Sequence, residues 1–336
     1  MTRQESRPSR RTALGLLGAV PFAASGVTAA SGAAQAATGS TESTESTEST
    51  GSTGSSGSSG AIPADLRPGG AFGRYIKGLL THTGGMTDPT NTTSEGHVFT
   101  SIEERTRDIA RRARTQTLRF TPGTGKEYSS MGYEVLGELV ATVSGLPFHE
   151  YVREHVFKVA GMHRSAYHTR PEWLADERIA HPYMLQEDGS RVDGVRNLDK
   201  GGTGPVKGSN SARAFIGSGG GNGFSTAPDL VRFALALQKD ELLKRAHIEL
   251  YVNAKVSGAP MREGLADPAR GEAFHAYGPT ASVYDDRRYI SHGGGVAGGS
   301  TNWSIYLDID WVAVVLCNYD LDVEAIITQE RRLITA

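Results

Sequence analysis

The stretch that decides the fold is "FTPGTGKEYSSMGYEVLGELV", residues 120–140. Its first part is rich in turn residues, and the run from Met131 to Gly145 carries apolar residues at helical spacing. This pattern predicts a loop followed by a helix over 131–145, stopped at Gly145. Tyr128, Ser129 and Ser130 stand at the junction, where a phenol and two hydroxyls can face a substrate or serve a nucleophile.

Three further segments on either side of this stretch predict helices. Residues 100–115 form a charged helical pattern, residues 147–162 begin at Pro147 and end at Gly161, and residues 226–238 follow Thr226 as an N-cap. Short apolar strands are predicted near the carboxyl end, at 287–295, 300–310 and 311–320, with a tight turn around Asp308–Asp310. A last helix is predicted over 321–335.

Helices followed by an antiparallel meander and a covering helix predict an α+β architecture. We expect a mainly helical subdomain over about 87–285 and a sheet formed by about 287–318. The only cysteine, Cys317, is predicted to be a buried apolar residue of the last strand, and it has no partner for an internal disulfide.

The amino terminus predicts export. Residues 1–36 combine arginines, among them the pair Arg10-Arg11, with the apolar run "TALGLLGAVPFAASG" and the cleavage motif "AQAA". These are the parts of a bacterial signal peptide of the twin-arginine type, and the apolar run is shorter than the roughly 20 residues that span a membrane. Residues 37–61 form a Ser/Thr/Glu/Gly-rich disordered linker, and residues 62–336 form the folded body. We therefore predict a secreted, extracytoplasmic protein without a stable membrane anchor.

Charge and residue spacing indicate which classes of partner the chain lacks. The chain has 35 Lys and Arg against 37 Asp and Glu, so it lacks the basic excess that nucleic-acid binding requires. The motif "HEYVREH" places His149 and His155 six residues apart, whereas a zinc-binding helix needs a spacing of four. We predict no metal, no cofactor and no nucleic-acid partner.

Five segments resemble, in order and spacing, the superfamily of serine β-lactamases and penicillin-binding proteins, in its class C-like branch of esterases and D-alanyl-D-alanine carboxypeptidases. They are "LLTHTGGM" (79–86), "FTPGTGKEYSSMGYEVLGEL" (120–139), "VFKVAGM" (156–162), "GGGNGFSTAPDLVRFALAL" (219–237) and "SHGGGVAGGST" (291–301). The resemblance implies a β-lactamase/transpeptidase-like fold and a small-molecule or cell-wall peptide substrate: a β-lactam, a D-Ala-D-Ala peptide or an ester.

The resemblance also implies a site. Tyr128 matches the tyrosine that moves protons, and Ser130 stands where the family has asparagine. His292 and Gly294 match the third motif, with Gly295 a backbone donor to an oxyanion. For Ser130 a second interpretation stays open, that it caps the helix that follows.

The family's Ser-x-x-Lys motif, which supplies the acylated serine and its activating lysine, is absent. None of the eight lysines has a serine three positions before it. The segment "RYIKG" runs directly into "LLTHTGGM", where secreted members of the family have two strands and the nucleophile helix. A phenol with a pKa near 10 needs a shift of roughly 3 units to act as a base near neutral pH. We therefore predict that acyl-enzyme chemistry is lost or impaired.

Three alternatives remain at this stage. "HGGG" at 292–295 also occurs in lipases of the α/β-hydrolase fold, but the Gly-x-Ser-x-Gly elbow of those enzymes is missing; "GFSTA" (223–227) is the nearest approach. The chain can also be a non-catalytic extracytoplasmic protein that binds cell-wall peptides or β-lactams. The last alternative is a deletion product that folds poorly because apolar faces lose their cover.

Overall fold

The computed structural model describes residues 20–22, 71–86, 88, 96–204, 207–257 and 273–336. The predicted signal peptide and linker lie outside these residues, apart from the short strand β1 (Val20–Phe22), which pairs antiparallel with β4 (Gly223–Ser225). The described part of the body contains both helices and an antiparallel sheet, which confirms the α+β prediction.

The helices precede and flank the sheet. They are α1 (Ala71–Leu80), α2 (Ile102–Thr115), α3 (Ser130–Ser144), α4 (Phe148–Val152), α5 (Arg170–Ala175), α6 (Ala227–Gln238), α7 (Arg245–Val252) and α8 (Glu324–Thr335). The predicted helix over 147–162 is wrong in its detail. It is α-helical only through Val152 and continues as a π-helical turn over Arg153–Phe157, which widens the backbone so that both Val156 and Phe157 are buried.

The main sheet is a six-stranded antiparallel meander in the order β10-β9-β8-β7-β6-β5. Its strands are β5 (Val256–Ser257), β6 (Ala273–His275), β7 (Thr280–Tyr284), β8 (Arg287–Val296), β9 (Gly299–Tyr306) and β10 (Trp311–Cys317). A separate hairpin joins β2 (Tyr183–Leu185) to β3 (Arg191–Asp193).

The predicted sheet boundary is therefore wrong on its amino-terminal side. The sheet begins at Val256, and β5, β6 and β7 lie inside the range that we expected to be helical. These strands have two, three and five residues, too few for a period of two to stand out in the sequence.

Because side chains alternate along each strand, the sheet has two faces, and helices cover both of them. Ile290, Trp303 and Ile305 lie on one face and belong to the main apolar core, to which α6 and α7 also contribute. On the other face the hydroxyl of Tyr306 donates to Glu330 of α8 at 2.8 Å, and the guanidinium of Arg331 lies over the ring of Tyr289. The sheet thus lies between the helical layer and α8.

An ionic cluster joins α2 to α3; it consists of Arg105, Asp108, Arg112 and Glu134, and we call it the acid–arginine cluster. Arg112 contacts Glu134 and Asp108, each at 2.8 Å, and Arg105 pairs with Glu134. All four side chains are nearly buried, with 8–12% of their surface exposed. In this cluster every buried charge has a partner of the opposite sign.

The burial of Cys317 differs from the prediction. Cys317 is the last residue of β10 and is half-buried rather than buried, because no described strand covers that edge of the sheet.

Within the described ranges no helix combines the length and the apolar character that crossing a membrane requires.

Candidate functional site

The segment after α1 supports the loop that carries Tyr128. The amide of Gly123 donates to the carbonyl of Thr83 at 2.8 Å, and the amide of Glu127 donates to the carbonyl of His82 at 3.0 Å. The amide of Ser129 donates to Nδ1 of His82 at 3.2 Å. His82 itself adopts a left-handed backbone (φ 59°), which turns its ring back toward the loop. These bonds fix the backbone on both sides of Tyr128.

The imidazole of His82 lies between two tyrosine rings. Its centroid is 4.5 Å from that of Tyr128 and 5.3 Å from that of Tyr133. The side chain is buried, with 4% of its surface exposed. Burial lowers the pKa of His82 to about 3, and the nearby charges of His275, His292 and Lys126 act in the same direction. His82 is thus a neutral ring that holds Tyr128 by contact.

Tyr128 keeps 38% of its surface exposed. Its surroundings nevertheless raise its pKa: desolvation dominates, the hydrogen bond with the side chain of Ser130 opposes it, and the charge of Asp88 adds to it. A phenol that acts as a base needs the opposite shift. The site therefore keeps Tyr128 protonated near neutral pH, as a hydrogen-bond donor.

The two serines at the junction have different roles. Ser129 is the N-cap of α3, with its Oγ accepting from the amide of Gly132 at 3.1 Å, while Asp88 accepts from the amide of Met131 at 2.8 Å. The capping interpretation of Ser130 is therefore wrong, because Ser129 occupies that position. Ser130 is the first helical residue, and its side chain is bonded to Tyr128.

His292, Gly294 and Gly295 lie on β8, an inner strand of the sheet. Pairing between β7 and β8 ends at Ser291, so from His292 onward β8 is paired only with β9 among the described strands. Gly294 and Gly295 are exposed, which leaves this stretch of backbone accessible. A side chain at Gly294 would place a Cβ only 2.9 Å from Oγ1 of Thr301, so packing as well as ligand access favours glycine there.

His292 lies on the same face of the sheet as Ile290, toward the helical layer, and burial lowers its pKa. Its charge also acts on His82, whose ring contacts Tyr128. The structure thus brings His292 and Tyr128 to the same region, between the start of α3 and the sheet. Their catalytic roles stay predictions.

The sequence did not identify two neighbours of these residues. His275, at the end of β6, lies edge-on to His82 with ring centroids 5.4 Å apart, and burial lowers its pKa to about 4. Lys126 lies close enough for its charge to act on both histidines. His275 carries no sequence signal because its strand has three residues, and Lys126 lies two positions before Tyr128 in a segment without regular secondary structure.

We call Lys126, Tyr128, His82, His275 and His292 the tyrosine–histidine site. Among the described residues no three His, Cys, Asp or Glu side chains are arranged to hold a metal ion, and the histidines of this site are included in that statement. A small pocket lies elsewhere, beside His168, Trp173 and Phe224, and it shares no residue with the site. The site can donate hydrogen bonds from Tyr128 and accept a ligand along β8.

Comparisons with known proteins identify the family of the chain. The family model described as Beta-lactamase matches residues 66–335. Penicillin-binding protein 4* of Bacillus subtilis is 26% identical over 275 residues, which cover 75% of this chain and 53% of that protein. The chain thus spans about half the length of this relative.

Two solved structures are similar in fold. A penicillin-binding protein from Bacillus halodurans superposes with a TM-score of 0.59 and 25% identity, over 77% of this chain and 72% of that one. A D-amino acid amidase from Ochrobactrum anthropi gives a TM-score of 0.52 and 20% identity, over 73% and 64%, a likeness of fold alone. The family model covers most of the body, from α1 to α8. The chain therefore belongs to the β-lactamase family, within the superfamily of serine β-lactamases and penicillin-binding proteins.

Proposed function

We propose that this chain is an exported member of the family that has lost acyl-enzyme turnover and binds its ligands reversibly. The observation that carries the proposal is the absence of Ser-x-x-Lys from the whole sequence. A serine hydroxyl is a weak nucleophile unless a neighbouring base activates it, so both members of the motif are needed. The described chain runs from α1 through two turns into the Thr83–Gly85 segment, with no further helix between them.

The serines beside Tyr128 are poor substitutes for the missing nucleophile. Ser129 is buried, and its Oγ already accepts the hydrogen bond that caps α3. The side chain of Ser130 is hydrogen-bonded to the phenol of Tyr128, whose raised pKa keeps it protonated near neutral pH, so that it cannot take the proton of a serine hydroxyl. Lys126 is the one lysine of the site, and the partner of its Nζ is the carbonyl of Ser257 at 3.3 Å. Neither hydroxyl is thereby activated.

The ligand class follows from the family and from β8. The B. subtilis and B. halodurans relatives are penicillin-binding proteins by name. The accessible stretch from His292 to Val296 suits an extended ligand that adds to the strand through main-chain hydrogen bonds. We propose β-lactams or cell-wall peptides as ligands, held between this strand and Tyr128 in an extracytoplasmic location.

The export step has its own test. Because residues 1–36 carry the arginine pair and the cleavage motif, secreted protein should begin near Ala37. Amino-terminal sequencing of protein from the culture medium measures this directly. A chain that keeps Met1 in the membrane fraction would contradict the export proposal and leave the site untouched.

The proposal predicts the same negligible hydrolysis of a chromogenic cephalosporin by the chain and by a Tyr128→Phe variant. Phenylalanine keeps the ring contact with His82 and removes only the hydroxyl, so it is a matched control for proton transfer. General acid–base catalysis contributes about 10²–10⁴-fold where it operates. Turnover that falls about a hundredfold in Tyr128→Phe would show that the family's chemistry persists, and the proposal would be wrong.

A further inference from the structure

The small pocket outside the tyrosine–histidine site has an aromatic floor and a polar rim. Trp173 and Phe224 form the floor; both are buried, and their ring centroids lie 4.7 Å apart at an interplanar angle of 81°. The rim is half-buried and includes His168, Ser211 and Asn222. The enclosed space admits roughly one group of the size of a water molecule or a methyl. The pocket can therefore take a single substituent of a ligand, whose remaining atoms stay at the rim.

The polar side chains of the rim have no hydrogen-bond partner in the described part of the chain. The Oγ of Ser211 is buried and unpaired. The imidazole of His168 and the carboxamide of Asn222 also form no hydrogen bond with a described residue. A buried hydroxyl without a partner costs free energy, because it loses the hydrogen bonds that water would supply. The rim thus carries donors and acceptors that the fold leaves available.

The backbone of the rim is left-handed at two positions. Phe215 has φ 68° and ψ −46°, and Asn222 has φ 65°. Asparagine adopts this conformation readily, whereas a bulky aromatic residue in it is strained. Arg170 holds Phe215 in place: its amide donates to the carbonyl of Phe215 at 2.7 Å, and its guanidinium lies 5.4 Å from the centroid of the ring. Backbone strain of this kind concentrates at ligand sites, because it fixes a side chain where a ligand needs it.

The pocket is electrically neutral. The described residues that line it include no acid, lysine or arginine. Burial lowers the pKa of His168 against the opposing charges of Glu172 and Asp176, so the imidazole is neutral near pH 7. The nearby guanidinium of Arg170 already donates to two backbone carbonyls. A neutral ligand with both donors and acceptors fits this lining better than an ion does.

We propose that this pocket binds the acetamido group of an N-acetylated amino sugar. The methyl contacts the aromatic floor, and the N–H and carbonyl of the acetamido group pair with Ser211 and Asn222. An amide has one donor and one acceptor group, so the imidazole of His168 is left for a hydroxyl of the sugar. The sugar ring lies against Phe215 at the rim. This binding site goes beyond the proposed function, since the pocket shares no residue with the tyrosine–histidine site.

Saturation-transfer NMR of the full chain at pH 7 tests the proposal with N-acetylglucosamine and glucose. The two sugars differ only at carbon 2, which carries an acetamido group in the first and a hydroxyl in the second. We expect saturation of N-acetylglucosamine, strongest at the acetyl methyl that contacts Trp173 and Phe224, and none of glucose at the same concentration. A third probe, N-acetylalanine N′-methylamide, carries the acetamido group without a sugar and should bind more weakly than N-acetylglucosamine.

Ser211→Ala separates a role in binding from a role in the fold. The Oγ has no partner in the protein, so its removal should leave the urea midpoint unchanged. Loss of one hydrogen bond to the ligand should raise the Kd of N-acetylglucosamine about threefold to tenfold. Ser190→Ala removes an exposed hydroxyl bonded to Asp188 and should leave the Kd unchanged. Asn222→Gly is a second variant that suits the left-handed backbone, and it should raise the Kd by a similar factor.

Four results would overturn the inference. They are no saturation of N-acetylglucosamine at tens of millimolar, equal saturation of glucose, binding of the methylamide as tight as that of the sugar, and an unchanged Kd in both Ser211→Ala and Asn222→Gly. A covalent adduct with a serine, which would contradict the proposed function, has no bearing on this pocket.

Discussion

Two regions near the start of α3 surround their basic side chains in opposite ways. In the acid–arginine cluster, Arg105 and Arg112 face Glu134 and Asp108, so four nearly buried charges cancel. In the tyrosine–histidine site, Lys126 and its histidine neighbours have no described acid against them. The paired charges of the cluster hold α2 and α3 together. The ammonium of Lys126, by contrast, has a neutral hydrogen-bond partner, the carbonyl of Ser257. The difference separates a structural cluster from a candidate site within one small part of the fold.

The largest expected loss of stability comes from removing one acid of the acid–arginine cluster. Glu134→Gln keeps the shape of the side chain and leaves Arg105 and Arg112 with a single acid between them. Removing one partner of a buried ion pair costs about 3–5 kcal/mol of unfolding free energy. Urea denaturation measures the loss. The exposed pair of Glu154 with Lys158 is the control, and Glu154→Gln should leave the urea midpoint almost unchanged. Equal losses would remove the distinction between the two kinds of charge.

The second effect is a loss of stability at low pH, where His82 and His275 of the tyrosine–histidine site become protonated. His82 and His275 have folded-state pKa values lowered to about 3 and about 4, against about 6.5 for an unfolded histidine. Below pH 6.5 the unfolded state therefore binds more protons, and stability falls as pH falls. Between pH 6.5 and pH 5 each ring should cost about 2 kcal/mol, at about 1.4 kcal/mol per pH unit.

Urea midpoints recorded from pH 7 to pH 5 measure this loss. The window lies above the range in which carboxylates such as Glu104, with a pKa of about 2, begin to lose their stabilising bonds. His275→Gln should make the stability curve flatter, and His247→Gln, on an exposed histidine, should leave its slope unchanged. A slope unaffected by His275→Gln would mean that this ring does not carry the acid sensitivity.

The smallest effect separates the two serines that stand between these regions. Ser129→Ala removes the side-chain cap of α3 and should cost about 1 kcal/mol. Ser130→Ala, its matched control, removes a hydroxyl bonded to Tyr128 and should change stability by about 0.5 kcal/mol or less. It should also raise the pKa of Tyr128 further, which a spectrophotometric phenol titration detects. A larger stability loss from Ser130→Ala would restore it as the cap.

Much of the fold could be predicted from the sequence, and the reason lies in element length. The helix after Tyr128, with its long apolar stripe and Gly145 in a left-handed C-cap, was confirmed to within one residue at each end. The long strands β8, β9 and β10 were also recognised. The strands β5, β6 and β7 were missed because two to five residues carry no period.

The residues of the site also differ in how far the sequence could predict them. Tyr128 and His292 could be predicted because their motifs are local in sequence, and the structure brings them to one region, while their roles stay predictions. His275 was not found, since only sheet pairing between β6 and β7 brings it opposite His82. His82 lies within "LLTHTGGM", but no role for it could be predicted, because its contact with Tyr128 depends on a left-handed backbone and on the Ser129 amide.

The central claim is that the chain keeps the family's tyrosine and third-motif strand but cannot be acylated. Intact-mass spectrometry of the full chain after incubation with a fluorescent penicillin, and separately with a serine-reactive fluorophosphonate, tests this most directly. The account predicts an unchanged mass with both reagents, because no serine has an activating lysine in the family's spacing. A stoichiometric adduct that maps to one serine and disappears in Tyr128→Phe would contradict it and would identify a substitute nucleophile.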